Sequence, residues 1–574
     1  MERPWFSSYE DGVPQTITYP AITLSTMFEN AAKAYADKTA TNFVLRYLLN
    51  GRFTVGGKKT FAQLKDAVDR MATALYQLGV RKGDRIGVML PNSPHFIITF
   101  FAAMRIGAIV VNINPTYTSR ELKHQLEDSG AETLVLLNLF WPRFREIKVE
   151  TKVRRAIVVH VFDTLPFPSG LLAKAAQKKT PEWVDVPIDE DTFLFSELLS
   201  KYGPTPPRVD VTPSDVALFQ YTGGTTGLPK AAMLTHENLI ANVYQCAAWL
   251  HKSVPGGEKM MAAIPFFHVY GMTACMLYAL HIGAEVVIVP SPRPIDNVMN
   301  IIAKERCTLF PGVPAMYIGI INHKDIASYD LRSVKACLSG SAPLPMEVQE
   351  KFGQLTGGRL VEGFGMTECS PVAIANPVFG RRKSGSIGVP VPNTDAKIVD
   401  LETGEALPFD NQAQGELCVR GPQVMKGYWQ RPDETAGTVD AEGWLHTGDI
   451  CKVDEDGYFY IVDRKKDMII ASGFKVLPRD VEEVLFMHPK VMEAVVVGVR
   501  HPTRGDDTVK AFIVPKAGET PTAEEIRKFC ELHLASYKVP REVEFRTELP
   551  KTMVGKVLRR VLVEEELAKQ KVKK

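Results

Sequence analysis

Between Gln220 and His236 the chain reads QYTGGTTGLPKAAMLTH. Thr222, Gly223, Gly224, Thr225, Thr226 and Gly227 follow one another, and Lys230 comes three residues after the last of them. Bare backbone that a phosphate can approach closely, short hydroxyls and one cation make a phosphate cradle. It is not a Walker A loop, in which Lys directly follows the last glycine and Ser or Thr follows Lys. Here Leu228 and Pro229 intervene, and Ala231 occupies the hydroxyl position. A plain Gly-rich hairpin is the alternative.

Further stretches offer complementary chemistry. LVEGFGMTECSP at 360–371 carries Phe364, a flat face for a base, Thr367, a hydroxyl, and Glu368, a hard oxygen donor suited to Mg²⁺. CLSGSAPLP at 337–345 holds Gly340, Ser341 and Ala342, small enough for a ligand to pack on their backbone. GWLHTGDI at 443–450 carries Asp449, a carboxylate suited to a ribose diol. GYFYIVDRKKDMI brings Arg464 and Lys466, and LPKTMVGKVLRR brings Lys556 after Gly555. His268 sits in the apolar run PFFHVYG, where a core histidine is the ordinary reading. Taken singly, each of these stretches reads equally well as a turn or a solvated charge.

The elements that must position these residues show in the periodicity. Phe61, Leu64, Val68, Met71, Leu75 and Leu78 have helical spacing, and DRIGVMLP then reads as a short buried strand. Such alternation, continuing to about residue 380, predicts an α/β layer fold. DVALFQYT and AAMLT predict strands on either side of the Gly/Thr loop, and Thr235 caps a helix with Leu239, Ile240 and Val243 on one face. Residues 163–185 read as a Pro-rich, then basic, surface excursion. From about residue 386 short β segments with Gly, Pro and Asp turns predict a small β-rich subdomain. Beyond DRKKDMI, Pro478 opens one helix, Thr522 and Glu525 form a capping box for another, and MEAVVVGV and VKAFIVP read as strands. The expected organisation is an N-terminal domain over 1–462, built of α/β subdomains at about 1–210 and 211–385 and a β-rich subdomain at about 386–462. A hinge at 463–467 and a mobile α+β domain at 468–574 follow.

A chain of 574 residues is too long for one hydrophobic core. With 68 basic and 66 acidic residues its net charge is +2, which gives no support for nucleic acid as the main partner. Eight scattered cysteines form no C-x-x-C pair and fit a reducing cytoplasm. The N-terminus lacks the apolar stretch of a secretory signal. The most apolar region, FIITFFAAMRIGAIVVNIN, is interrupted by Arg105 and reads as a buried helix followed by a strand, leaving contact with a membrane surface open.

In this order, the motifs YTGGTTG, PFFHVYGM, SGSAPLP, GPQVMKGYW, DGYFYIVDRKKDMI and LPKTMVGKVLRR resemble the adenylate-forming superfamily of acyl-CoA synthetases, luciferases and peptide-synthetase adenylation domains. The resemblance spans about residues 25–565 and is nearest to bacterial long-chain fatty-acid–CoA ligases. It implies activation of a fatty acid by ATP through an acyl-AMP intermediate, then transfer to CoA. By resemblance, Thr222 to Gly227 and Lys230 hold the β- and γ-phosphates, Thr222 and Glu368 flank Mg²⁺, and Thr367 touches the α-phosphate. Gly340 to Ala342 and Glu362, Gly363 and Phe364, continuing through Gly365 and Met366, form the adenine slot. Asp449 and Arg464 hold the ribose, Lys466 marks the hinge, and Gly473 lines the CoA channel. Lys556 bridges carboxylate and α-phosphate, and His268 stands beside the acyl carboxylate as a donor or gate. Phe364 stands where Tyr is frequent in the family, and stacking needs only its ring. The implied partners are a long-chain fatty acid, ATP and CoA, with a homodimer and a cytoplasmic, membrane-associated location also in view. A medium-chain or aryl-acid CoA ligase, an acyl-AMP ligase loading a carrier protein, and a non-catalytic nucleotide-binding scaffold are the rival readings.

Overall fold

The computed structural model describes residues 3–48, 53–166, 169–180, 183–222, 229–464, 467–471, 474–500, 507–552 and 556–572. The chain forms two compact units. The larger comprises Tyr9–Asp395 and Arg420–Gly443, the smaller Met1–Ser8, Ala396–Val419 and Trp444–Lys574.

The larger unit is built on two sheets. One has eight strands in the spatial order Gly427–Tyr428, Lys230–Thr235, Val216–Thr222, Ile109–Asn112, Arg85–Met89, Thr133–Leu137, Arg155–Val159 and Thr192–Leu194. From Val216–Thr222 to Thr192–Leu194 every pairing is parallel, so both faces are covered and the strands read as continuous apolar runs. The helix Pro94–Arg105 is buried over all its residues but Arg105, which pairs with Glu29 at its exit. This is why the most apolar stretch of the chain is a core helix. The second sheet begins with the hairpin Thr39–Leu48 and Phe53–Thr60 and continues through Glu285–Ile288 and Lys259–Ala262. Leu309 then bridges Met260 to Ala336, and beyond lie Ala336–Ser339, Arg359–Gly365, Val372–Ala375 and Val389–Pro390.

Both sheets cross the division expected near residue 210. Val216–Thr222 pairs with Ile109–Asn112, and Thr39–Leu48 pairs with Glu285–Ile288. A parallel strand can recruit an edge from any distance along the chain, and local periodicity carries no record of which edge it takes.

The smaller unit holds the sheet Asp395–Val399, Gly415–Arg420, Leu445–Val453 and Phe459–Arg464. It also holds the three strands Val491–Arg500, Asp507–Pro515 and Glu542–Phe545, with the helices Pro478–Met487, Ala523–His533 and Arg559–Val572. The first residues of the chain belong here. Trp5 is fully buried against Gly457, whose φ of +80° and lack of a Cβ make room for the Trp5 backbone and Cβ. The capping boxes at Thr235 and Thr522 both form. All eight cysteines are buried and free. Among the described residues no helix is long and apolar enough to cross a membrane.

Candidate active site

Val216–Thr222 and Lys230–Thr235 form an antiparallel pair in which Thr222 stands opposite Lys230. A hydroxyl and an ammonium therefore flank the two ends of the Gly/Thr loop. Gly223, Gly224, Thr225, Thr226 and Gly227 themselves lie outside the described residues. The Lys230 ammonium makes an ion pair with Glu434 and sits 4.7 Å from the centre of the Tyr428 ring.

The strand Arg359–Gly365 runs into the short turn Thr367–Cys369, which packs against both strands of that hairpin. Gly365 is required at the strand end: a Cβ there would lie 2.1 Å from the Pro371 carbonyl oxygen. Glu368 is only 6% exposed. Its carboxylate accepts a 2.7 Å hydrogen bond from the Tyr428 hydroxyl, and its carbonyl accepts one of 2.8 Å from the Met425 N–H. Burial first, and then the Glu368 charge, hold the Tyr428 pKa well above that of free tyrosine, so the hydroxyl remains a donor. The fold thus gathers Thr222, Lys230, Thr367 and Glu368 around one loop.

Beside this cluster, Ala336–Ser339 and Arg359–Gly365 are parallel neighbours with Ser339 opposite Glu362. Gly340 to Ala342 and Gly363 to Met366 thus emerge at adjacent carboxyl ends of a parallel pair, where α/β sheets bind ligands. Tyr270 underlies Gly340, since a Cβ at that glycine would come within 3.2 Å of its ring. The Tyr270 hydroxyl donates to the Leu338 carbonyl at 2.6 Å. Phe364 is half-buried, and Ser341 is exposed with φ of +72°. Glu362 is buried, and its carbonyl accepts from the Asn376 N–H at 3.0 Å. His268 is half-buried, and its Nδ1 accepts the Tyr270 N–H at 3.2 Å. That bond places the proton of a neutral ring on Nε2, which makes Nε2 the donor. The following residues, Gly271–Leu277, form a wide π-helical turn, in which Thr273 donates to the Ser370 carbonyl at 2.8 Å. Such turns recur at functional sites.

An apolar pocket, open on one side, lies under these strand ends. Its sheet wall comes from Leu309 and Pro311 and from Ala336, Cys337 and Leu338 of the strand beside them. The cavity has a direction. Leu338 lies just before Gly340, at the top, whereas Met260, Leu309 and Ala336 share one level lower down. Trp249, Leu250 and Tyr278 also line it. The first two enter the loop that feeds the strand Lys259–Ala262, and the Tyr278 hydroxyl bonds Ser253 of that loop at 2.9 Å. The Trp249 indole N–H donates to the Asn376 carbonyl at 3.0 Å, which fixes the ring.

In the smaller unit Asp449 and Arg464 face each other on paired strands, with Nε to Oδ1 at 2.9 Å. Asp449 follows a braced turn. Glu416 accepts the Gly448 N–H at 3.0 Å, and Thr447 donates to the Leu417 carbonyl at 2.8 Å while accepting the Asp449 N–H at 3.1 Å. Asp463 accepts the N–H of Arg479 at 2.9 Å, in the first turn of the helix Pro478–Met487. Burial raises its pKa to about 6 against those bonds. The Lys556 N–H donates to the Thr552 hydroxyl at 3.1 Å, and its carbonyl accepts the Thr552 N–H at 2.8 Å. Lys466 and Gly473 lie outside the described residues.

The family model of the AMP-binding enzymes matches residues 28–429. The chain belongs to the AMP-binding enzyme family. The model of the AMP-binding enzyme C-terminal domain matches residues 480–556. The long-chain-fatty-acid–CoA ligase of Bacillus subtilis (strain 168) is 44% identical over 576 residues, covering 100% of both chains. That of Escherichia coli O157:H7 is 40% identical over 572 residues, covering 98% of each. Among solved structures, the anthranilate CoA ligase AuaEII in complex with anthranoyl-AMP matches with a TM-score of 0.83 and 26% identity, covering 96% of this chain and 99% of that one. The superfamily resemblance read from the motifs and the α/β fold class both hold.

Within this member of the AMP-binding enzymes, two groups around the loop carry no signal of their role in the sequence. Tyr428 and Glu434 touch Lys230, and Tyr428 touches Glu368. GPQVMKGYW is legible as a motif, but nothing in it points to a partner 60 residues away. The helix His236–Trp249 also carries a buried polar face. Asn238 donates to the Pro422 and Val424 carbonyls, Asn242 to Val372 and Gln245 to Pro392, all between 2.7 and 2.9 Å. These bonds hold the segments before Tyr428 and after Glu368 to the helix that starts at Thr235.

Proposed function

We propose that the protein is an AMP-forming long-chain fatty-acid–CoA ligase. The observation that carries this reading is the apolar cavity beneath a cluster of phosphate-suited side chains, in a chain alike over its whole length to ligases of that activity. In the first half-reaction a fatty carboxylate oxygen attacks the α-phosphorus of ATP, the bond to the β-phosphate breaks, and pyrophosphate leaves. In the second the CoA sulfur attacks the acyl carbon, the bond to AMP breaks, and the thiol proton goes to solvent. An anion must approach a polyanion, so fixed cations and donors supply much of the catalysis.

Thr222, the glycines and threonines of 223–227, and Lys230 would hold the β- and γ-phosphates, with Thr367 on the α-phosphate. Gly340 to Ala342 and Glu362 to Met366 would enclose adenine, with the Phe364 ring stacking on it. Asp449 and Arg464 would bind the ribose diol. His268 would donate from Nε2 to the acyl carboxylate, which is already ionised at neutral pH and needs no base. Lys556 would bridge that carboxylate and the α-phosphate. Residues 463–467, with Lys466, would be the hinge about which 468–574 moves between the two steps, bringing Gly473 to the CoA thiol's path. Glu368 and Thr222 offer two hard oxygens, a donor set that suits Mg²⁺, which is usually held by one or two protein oxygens together with substrate phosphates. When bound, the ion would neutralise charge on the phosphates. A reducing cytoplasmic location is supported by the free, buried cysteines.

The test is turnover of the purified protein with ATP, Mg²⁺ and CoA against fatty acids of C4 to C20 and a set of aryl acids. Pyrophosphate release and acyl-CoA formation are followed together. The expected result is a maximum among long-chain acids. A preference for aryl acids would overturn the substrate class, and acyl-AMP without acyl-CoA would overturn the acceptor. Absence of acid-dependent pyrophosphate release would remove the reading altogether.

A further inference from the structure

Tyr428 has no part in the chemistry assigned above, yet it touches both the phosphate lysine and the candidate metal carboxylate. Its ring lies 4.7 Å from the Lys230 ammonium, and its hydroxyl donates to Glu368 at 2.7 Å. The backbone around it is fixed independently of that hydroxyl. Gly427 and Tyr428 pair with Met233 and Ala232 at the edge of the eight-stranded sheet. The Tyr428 N–H donates to the Thr435 hydroxyl at 2.9 Å, and the Trp429 N–H to the Ala231 carbonyl at 2.9 Å. Trp429 in turn packs on Phe219 and donates to the Asp128 carbonyl, while Arg431 pairs with the Asp128 carboxylate at 3.0 Å. Gly427, with φ of +140°, leaves room for Thr435, whose Cγ2 would lie 2.8 Å from a Cβ. A side chain held this firmly by its own strand can hold its neighbours.

We propose that Tyr428 is a positioning residue for the nucleotide site: its hydroxyl aims the Glu368 carboxylate at the cation that accompanies the triphosphate, and its ring keeps the Lys230 ammonium beside the phosphate loop. The two functions use different parts of one side chain, so they separate by substitution. The hydroxyl acts on a ligand-bearing carboxylate, as hydrogen-bonded partners behind metal ligands do. The ring acts by attraction of the cation to its face. Lys230 also pairs with Glu434, which has to be exchanged for phosphate when nucleotide binds, and the ring contact can persist through that exchange. The proposal rests on the reading of Glu368 as a metal-facing carboxylate and Lys230 as a phosphate lysine.

The experiment measures binding of the non-hydrolysable analogue α,β-methylene-ATP by calorimetry, with Mg²⁺ and with EDTA, to the full-length protein and its variants. Tyr428→Phe is expected to weaken the Mg²⁺-dependent affinity about 10-fold and to leave affinity in EDTA within about 2-fold, because the ring and Lys230 remain in place. Tyr428→Leu is expected to weaken binding in EDTA as well, by about 3-fold. In a Glu368→Gln background Tyr428→Phe is expected to add nothing, since the hydroxyl acts through that carboxylate. Equal losses with and without Mg²⁺ for Tyr428→Phe, or additive losses in the double variant, would overturn the proposal. If Glu368→Gln alone leaves the Mg²⁺ dependence intact, the reading of Glu368 fails instead. Should Tyr428→Leu lower the Tm, the Phe variant and the double variant still decide the hydroxyl's part.

Discussion

Replacing Glu416 by Ala tests whether the turn before Asp449 is held from behind. Glu416 is 8% exposed, and one of its oxygens accepts the Gly448 N–H at 3.0 Å. The other lies 3.5 Å from His446 Nδ1. Gly448 has φ of +72°, and the next residue is the carboxylate that faces Arg464. Alanine leaves the half-buried Gly448 N–H without its carboxylate acceptor, a loss of about 1.5–3 kcal/mol for a hydrogen bond to a charged group. If about half of that is recovered by the turn relaxing, Asp449 is displaced and nucleotide affinity falls by about 0.8–1.5 kcal/mol, or roughly 4–13-fold. Glutamine keeps an oxygen for Gly448 and removes only the charge facing His446, so Glu416→Gln is expected to lose less than about 3-fold. Isothermal titration with AMP, run on both variants and on Asp449→Asn, provides the measurement, and Tm values report any general loss of stability. The reasoning is refuted if Glu416→Ala binds AMP as the unaltered protein does while Asp449→Asn binds it weakly, or if glutamine is as damaging as alanine.

Three other outcomes follow from particular contacts. Lys556→Ala is expected to abolish acyl-AMP formation, followed by pyrophosphate release, while thioester formation from supplied acyl-AMP is largely spared; equal loss in both half-reactions would give the lysine another role. Trp249 lines the apolar pocket, so Trp249→Leu widens it and is expected to move the chain-length optimum upward. Each further buried methylene is worth about 0.8 kcal/mol, or roughly 4-fold in kcat/KM, and a uniform fall across a C8–C20 series would show that Trp249 does not floor the acyl path. His95 is fully buried with neither ring nitrogen hydrogen-bonded, and burial first, then the Lys59 and His160 charges, push its pKa down to about 3. Because the folded value lies below the unfolded one, its stabilising contribution is present above about pH 6.5 and is lost as pH falls toward 3, by about 2 kcal/mol between pH 7 and pH 5. His95→Phe is expected to flatten the acid side of the stability profile, measured by urea unfolding at pH 5, 6 and 7, and an unchanged slope would refute that origin.

The residues legible in the sequence were those whose chemistry is visible in a side chain alone. A run of Gly and Thr ending in Lys, a Glu after a Gly-rich strand end and an Asp after His-Thr-Gly each carry their meaning locally, and the structure brings Thr222, Lys230, Thr367 and Glu368 together. Local capping and periodicity were equally legible, as the helices begun by Thr235 and Thr522 show. What could not be read were relations. The helix His236–Trp249 was expected to bury the face bearing Leu239, Ile240 and Val243. It does, but it also sets the half-buried Asn238 and the buried Asn242 and Gln245 among carbonyls from three distant segments. Amides look like a solvated face until the acceptors that satisfy them are in place.

The same limit explains why the fold interleaves where the sequence suggested consecutive subdomains, and why Tyr428 and Glu416 went unassigned. A parallel sheet draws its neighbours from anywhere along the chain, so Thr39–Leu48 can join a strand near residue 285 while the strands from Arg85 to Leu137 build a different sheet. A positioning side chain has no chemistry of its own to display; its type is ordinary, and its effect exists only at 2.7 or 3.0 Å from a residue tens of positions away. Mutagenesis guided by motifs alone would therefore concentrate on groups that touch substrate and miss those that aim them. If Tyr428 and Glu416 behave as expected, much of the site's affinity for nucleotide resides in contacts between protein groups. The variants that separate the two contributions are the ones that keep every proposed ligand and remove only what holds it.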